Sequence, residues 1–172
     1  MNASPDPGPV LLEVRGLSKN FGALRAIVTA GLIVGVLDIS SAFVIWLERG
    51  VGLQRGLQGI AAGLLGTKSY EGGMATGGMG LAIHFLVAFV VVSIFYVVSR
   101  RVPFLTKHPA VSGVCYGIGV YLVMYWFVLP TAFSTFRHRL SNELLAIAIH
   151  ISLIGLPTAF IVRHYSQPTE QS

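Results

Sequence analysis

Three ionisable residues stand inside long apolar stretches of this chain: Asp38, His84 and His150. A charge in hydrocarbon costs about 2.5–3.5 kcal/mol even on the lenient insertion scale, so an ionisable group kept there should have a partner. A carboxylate beside a protonated imidazole would be such a pair. Three chemistries follow from these residue types. Asp38 and the histidines can pass a proton or line a substrate path. His84 and His150 can ligate a haem b iron from two sides. Two histidines and a carboxylate are also a recognised ligand set for a metal ion, although the spacing here carries no metal signature. Against these stands a purely architectural role, in which the three polar groups hold helices in register.

Their spacing places them in the same half of the membrane. Asp38 lies eight residues before Trp46, and His150 lies eight after Asn142, about 12 Å in each case at 1.5 Å per helical residue. His84 lies eleven after Gly73, roughly 16 Å. Counted from one membrane face, the three form a buried polar cluster in the outer half of the molecule. Glu143, Ala146, His150, Leu153 and Pro157 share one helical face. Gly31, Gly35, Asp38 and Ala42 do so in an earlier segment, and Gly73, Gly77, Gly80 and His84 in a third. Small residues on those faces let another helix approach closely and turn the ionisable groups inward. Pro157 removes the hydrogen bond to the Leu153 carbonyl and is a candidate kink.

The elements that carry these residues are apolar helices. The 172 residues are 53% hydrophobic and 11% charged, less than half the charged content of an ordinary soluble domain. Mean hydropathy is +0.72. Four stretches are long enough to cross a membrane, which takes about 20 residues: 25–47, 73–98, 110–129 and 143–162. The expected fold is an all-α membrane protein, four transmembrane helices in a bundle. Residues 1–24 read as a polar, disordered segment, since three prolines between Pro5 and Pro9 oppose a helix. Residues 166–172 read as a disordered tail. Between the first two spans, Leu53, Leu57, Ile60 and Leu64 recur at helical spacing, with Gln54, Arg55 and Gln58 off the stripe. That pattern predicts a short interfacial or re-entrant helix. Tyr116, Tyr121, Tyr125 and Trp126 in the third span read as interfacial anchors and packing groups.

The net charge of +5 falls between apolar blocks, where Lys and Arg meet lipid headgroups. It points to the bilayer as partner and away from nucleic acid. Four spans put both ends of the chain on one side. That side holds Arg15, Lys19, Arg25, Arg100, Arg101, Lys107 and Arg163, against Arg49, Arg55, Lys68, Arg137 and Arg139 on the other. The positive-inside rule therefore predicts cytoplasmic termini. The single cysteine, Cys115, forms no intrachain disulfide. No nucleophile elbow, zinc-protease helix or paired carboxylates are found, so the expected role is non-enzymatic: an accessory subunit or a small transport component, within a larger membrane complex or a homo-oligomer.

Two resemblances bear on this reading. Leu11 to Ile27, LLEVRGLSKNFGALRAI, resembles the first strand and turn of an ABC transporter ATPase of the branched-chain amino acid type, in which an aromatic at the place of Phe21 stacks on adenine. The phosphate loop that such an enzyme needs does not follow; Gly66-Thr67-Lys68-Ser69 is interrupted by Thr67. From Ala26 onward the chain is similar to an uncharacterised family of small bacterial inner-membrane proteins with four spans. That similarity rests on Gly35-Val36-Leu37-Asp38, Gly63-Leu64-Leu65-Gly66, Glu71-Gly72-Gly73, His84-Phe85 and Ser99-Arg100-Arg101-Val102-Pro103. It implies a multi-pass protein of the bacterial inner membrane and carries no activity.

Overall fold

In the computed structural model the described residues are 9–133 and 140–166, with side chains over 22–133 and 142–166. They are helical with short turns, and no strand occurs among them. Helix α1 runs Pro9–Glu48 and α2 Leu53–Leu65. A 3₁₀ segment Gly66–Glu71 leads into α3, Gly73–Ser99. A one-turn helix, Phe104–Lys107, precedes α4, Pro109–Ala132, and the last long helix is α5, Asn142–Ser166.

Four of these helices are long and apolar enough to cross a membrane: Gly22–Glu48 within α1, then α3, α4 and α5. Their outer surfaces are the physical argument for lipid. Only 17% of the most apolar stretch of α3 is buried inside the protein, and Leu86, Val90, Ile94 and Val97 point outward at 50–62% exposure. In water such a surface far exceeds what a monomeric protein leaves uncovered; in hydrocarbon it costs nothing. The expected spans agree with these limits to within a few residues at each end.

The start of α1 differs from expectation. Helix begins at Pro9, sixteen residues before Arg25. Proline is tolerated at the first helical position, where its missing N–H would have no partner, and no further proline follows until Pro103. Polarity alone does not stop a helix. The stretch Leu11 to Ile27 is accordingly helical, not the strand and turn that the ATPase resemblance implies. Residues 1–8 and the tail beyond Ser166 lie outside the described residues.

All four long helices contribute to one core. Ala30 and Val34 of α1, Val92 of α3, Val120 of α4 and Ile154 of α5 form a fully apolar cluster. A second cluster joins Phe95 with Ala159 and Val162. The neighbours are antiparallel. Gly31 and Gly35 of α1 meet Phe89 and Phe85 of α3, in reverse order. Thr29 Oγ1 meets Tyr165 Oη at 3.3 Å at one end of the α1–α5 pair, and Arg49 meets Asn142 at the other.

Glycine decides how closely these helices approach, in two different ways. At Gly31 and Gly35 the missing side chain is filled by the phenyl rings of Phe89 and Phe85, ring into notch. At the crossing of α4 and α5 it is backbone against backbone. A Cβ on Gly113 would lie 2.8 Å from Leu156 Cα, one on Gly117 2.6 Å from Ile151 Cα, and one on Gly155 would strike the Gly113 carbonyl. The Gly113-x-x-x-Gly117 spacing is the small-residue signature of close helix contact. It lay in the sequence but outside the faces singled out above.

Helices α4 and α5 each contain a π-helical turn, Met124–Val128 and His150–Gly155. Each turn lies just ahead of a proline, Pro130 and Pro157. A proline ring clashes with the carbonyl four residues back and offers no N–H to it. Widening the preceding turn by one residue relieves both, and such bulges concentrate at functional sites.

Candidate functional site: an aspartate–histidine cluster between four helices

The structure brings Asp38 and His84 together. His84 Nδ1 lies 3.9 Å from Asp38 Oδ2, with the imidazole 12% and the carboxylate 30% exposed. His84 Nε2 lies 2.9 Å from the Gly35 carbonyl oxygen. Gly35 thus serves twice: its bare Cα admits Phe85, and its carbonyl orients the histidine next in sequence to that phenylalanine.

A carbonyl only accepts, so Nε2 of His84 carries a hydrogen and donates it to Gly35. Nδ1 faces the Asp38 carboxylate at 3.9 Å, just beyond hydrogen-bond distance, so a small rotamer change brings the two into contact.

His150 lies within electrostatic reach of Asp38. Its Nδ1 donates to the Ala146 carbonyl at 2.8 Å, one turn back at the start of the π-helical turn. Tyr121 and Tyr125 of α4 both meet the His150 ring edge to face, with centroids 5.9 Å away, and stack on each other at 4.8 Å. Tyr121 donates its hydroxyl hydrogen to Glu143. The cluster therefore reads Glu143, Tyr121, Tyr125, His150, Asp38, His84, drawn from all four long helices.

The haem reading does not match this geometry. His84 commits Nε2 to Gly35 and turns Nδ1 to Asp38, so the two histidines are not presented to one iron. Among the described residues no three His, Cys, Asp or Glu side chains converge as a metal ligand set.

The five glycines expected to mediate helix contact divide. Gly31 and Gly35 receive the aromatic rings. Gly80 lies against the Leu57 carbonyl of α2, and Gly77 faces Gln54 of the same helix at 3.8 Å. These two therefore seat the short helix and not another span. Gly73 differs: a Cβ there would meet nothing, and it has φ +56°, a left-handed conformation that glycine adopts without strain. Its role is to turn the chain into α3.

The tyrosines divide between helix packing and the cluster. Tyr116 donates to the Val91 carbonyl across α3 at 2.5 Å and packs edge-on against Phe95, a cross-helix clamp. Tyr121 and Tyr125 belong to the cluster. Their spacing of four, in the same half of the protein as His150, was the available signal. Trp126 is exposed at 57%, as suits a lipid-facing anchor. Arg137, His138 and Arg139 lie outside the described residues.

Set against protein-family models, curated proteins and solved structures, the chain matches none. Fold and site together define a class: a multi-pass α-helical membrane protein with an ionisable cluster between its spans.

Proposed function

We propose that this chain is a small transport component, or the accessory subunit of one, in the bacterial inner membrane, and that Asp38, His84 and His150 relay a proton within it. The observation that carries the reading is the Asp38–His84 pair at 3.9 Å. The imidazole Nδ1 faces the carboxylate, and His150 lies within electrostatic reach of it. An intramembrane ionisable group is by default part of an ion or proton path. The role is non-enzymatic, and the bacterial origin rests on the resemblance of residues 26–165.

In this reading the four spans form a bundle with both termini in the cytoplasm, where seven of the twelve basic residues lie. Helix α2 dips into the outer leaflet. Support for that comes from its burial pattern. The side held against the protein is Gln58 and Ala61, while Leu53 and Leu64 point away at 40% and 72% exposure, an arrangement suited to lipid. Gln58 fits the protein-facing side because its amide donates to the Gly73 carbonyl at 3.0 Å. The bilayer is the first partner; a larger complex or a second copy would complete the path.

The test is proton movement in proteoliposomes carrying an imposed pH gradient, with a pH-sensitive dye inside. The expected result is that Asp38→Asn abolishes protein-dependent proton entry while helicity and monodispersity match the parent. Entry that persists in that variant refutes the relay. Failure of Asp38→Asn to insert or assemble assigns the aspartate to architecture.

A further inference from the structure

Beside the cluster, between the end of α1 and the start of α5, lies a cavity of about 270 Å³. Its walls are apolar, with Ile45, Leu145 and Ile149 among them; its polar groups include Arg49, Asn142 and Trp46. The volume approaches the lower limit of small-molecule sites, about 300 Å³. Water would fill it poorly, since each ordered water needs two to four polar partners and most of this surface offers none.

The charged groups that line it are one cation, Arg49, and one carboxylate, Glu143. Arg49 makes one described side-chain hydrogen bond, a long one of 3.5 Å to Asn142 Oδ1, so its guanidinium has donors left over. Of its five N–H groups, those not on Asn142 are available to an acceptor in the cavity. The carboxylate that would oppose an anion there is Glu143, which also lines the space; the Tyr121 hydroxyl binds it from the α4 side. Depth agrees. Tryptophan belts sit at the level of lipid headgroups, and Arg49 lies three residues past Trp46, about 4.5 Å further along the axis. That is the level of a phosphate.

We propose that this cleft binds a phosphate-class anionic group, held by Arg49 and Asn142, with a short apolar portion of the same ligand between Ile45, Leu145 and Ile149. A cation with unused donors above an apolar slot is the complement of an amphiphile with an anionic head. The inference is independent of proton relay.

The experiment uses the full chain in mild detergent. Trp126→Phe leaves Trp46 as the single tryptophan, so emission reports on the cleft. Three probes are titrated: dihexanoyl phosphatidylglycerol, inorganic phosphate and uncharged dihexanoylglycerol. A saturable change with phosphatidylglycerol, one per chain and weakened about tenfold or more by Arg49→Gln, is the expected result, because charged hydrogen bonds are the strong ones. Arg49→Lys keeps the charge and retains most of the affinity. Saturation by phosphatidylglycerol but not by phosphate identifies lipid as the source; equal saturation by phosphate identifies a free anion. No saturable response to either anion, or equal binding of the uncharged glyceride, overturns the proposal. Should Arg49→Gln not fold, Asn142→Ala decides: undiminished binding of phosphatidylglycerol in that variant also overturns it.

Discussion

The crossing of α4 and α5 allows a sharp test by one methyl group. A Cβ on Gly117 would stand 2.6 Å from Ile151 Cα, 2.7 Å from the His150 oxygen and 2.9 Å from the His150 carbonyl carbon, whereas ordinary contact begins at 3.4 Å. All three neighbours are backbone, so no side chain can swing aside. The helices must part by about 0.8 Å at the turn that carries His150, and the edge contacts of Tyr121 and Tyr125 with that ring open. Overpacking of this kind costs about 1–3 kcal/mol. Gly119, two residues on, is the control, because a Cβ there meets nothing within 4 Å. Both substitutions gain the same helix propensity, about 0.8–1.0 kcal/mol, so it cancels in the difference. Gly117→Ala should therefore be less stable than Gly119→Ala by about 1–3 kcal/mol, roughly 5–150-fold in the unfolding equilibrium. The measurement is unfolding by added SDS in mixed micelles, followed by circular dichroism. Equal midpoints for the two variants would refute the backbone-to-backbone crossing and the placement of His150 that depends on it.

Other outcomes follow from the same packing. Gln58→Met keeps length and burial but removes the donor to the Gly73 carbonyl; it should cost about 1–2 kcal/mol and speed proteolysis within residues 53–73. Thr158 is fully buried, and its hydroxyl has no described hydrogen-bond partner. Thr158→Val should therefore be neutral or stabilising by up to about 1 kcal/mol, read as a rise in the SDS midpoint; a loss of more than that would reveal a partner for the hydroxyl.

How the site is built was legible only in part. Asp38, His84 and His150 announced themselves because ionisable residues are rare in apolar segments, and helical rise alone set them in the same half of the membrane. Tyr121 and Tyr125 did not stand out, since tyrosine is equally at home as an interfacial anchor, whereas Glu143 was legible on the helical face of His150. The helical start at Pro9 is not legible in the sequence, because the prolines up to Pro9 and a polar composition oppose a helix, although nothing between Val10 and Arg25 breaks one.

By itself the sequence determined that four helices are long and apolar enough to cross a membrane. Hydrocarbon thickness is fixed and hydropathy is local, so length and composition suffice. What tertiary structure decided is the rotation of each helix about its axis. A helix that is apolar all round carries no periodic mark of its inward face. Which glycines meet a ring, as Gly31 and Gly35 do, and which meet backbone, as Gly113, Gly117 and Gly155 do, depends on the partner's surface. So does the side α2 turns to the protein, and so does the meeting of Asp38 with His84, for each needs the position of a second helix that no local pattern encodes.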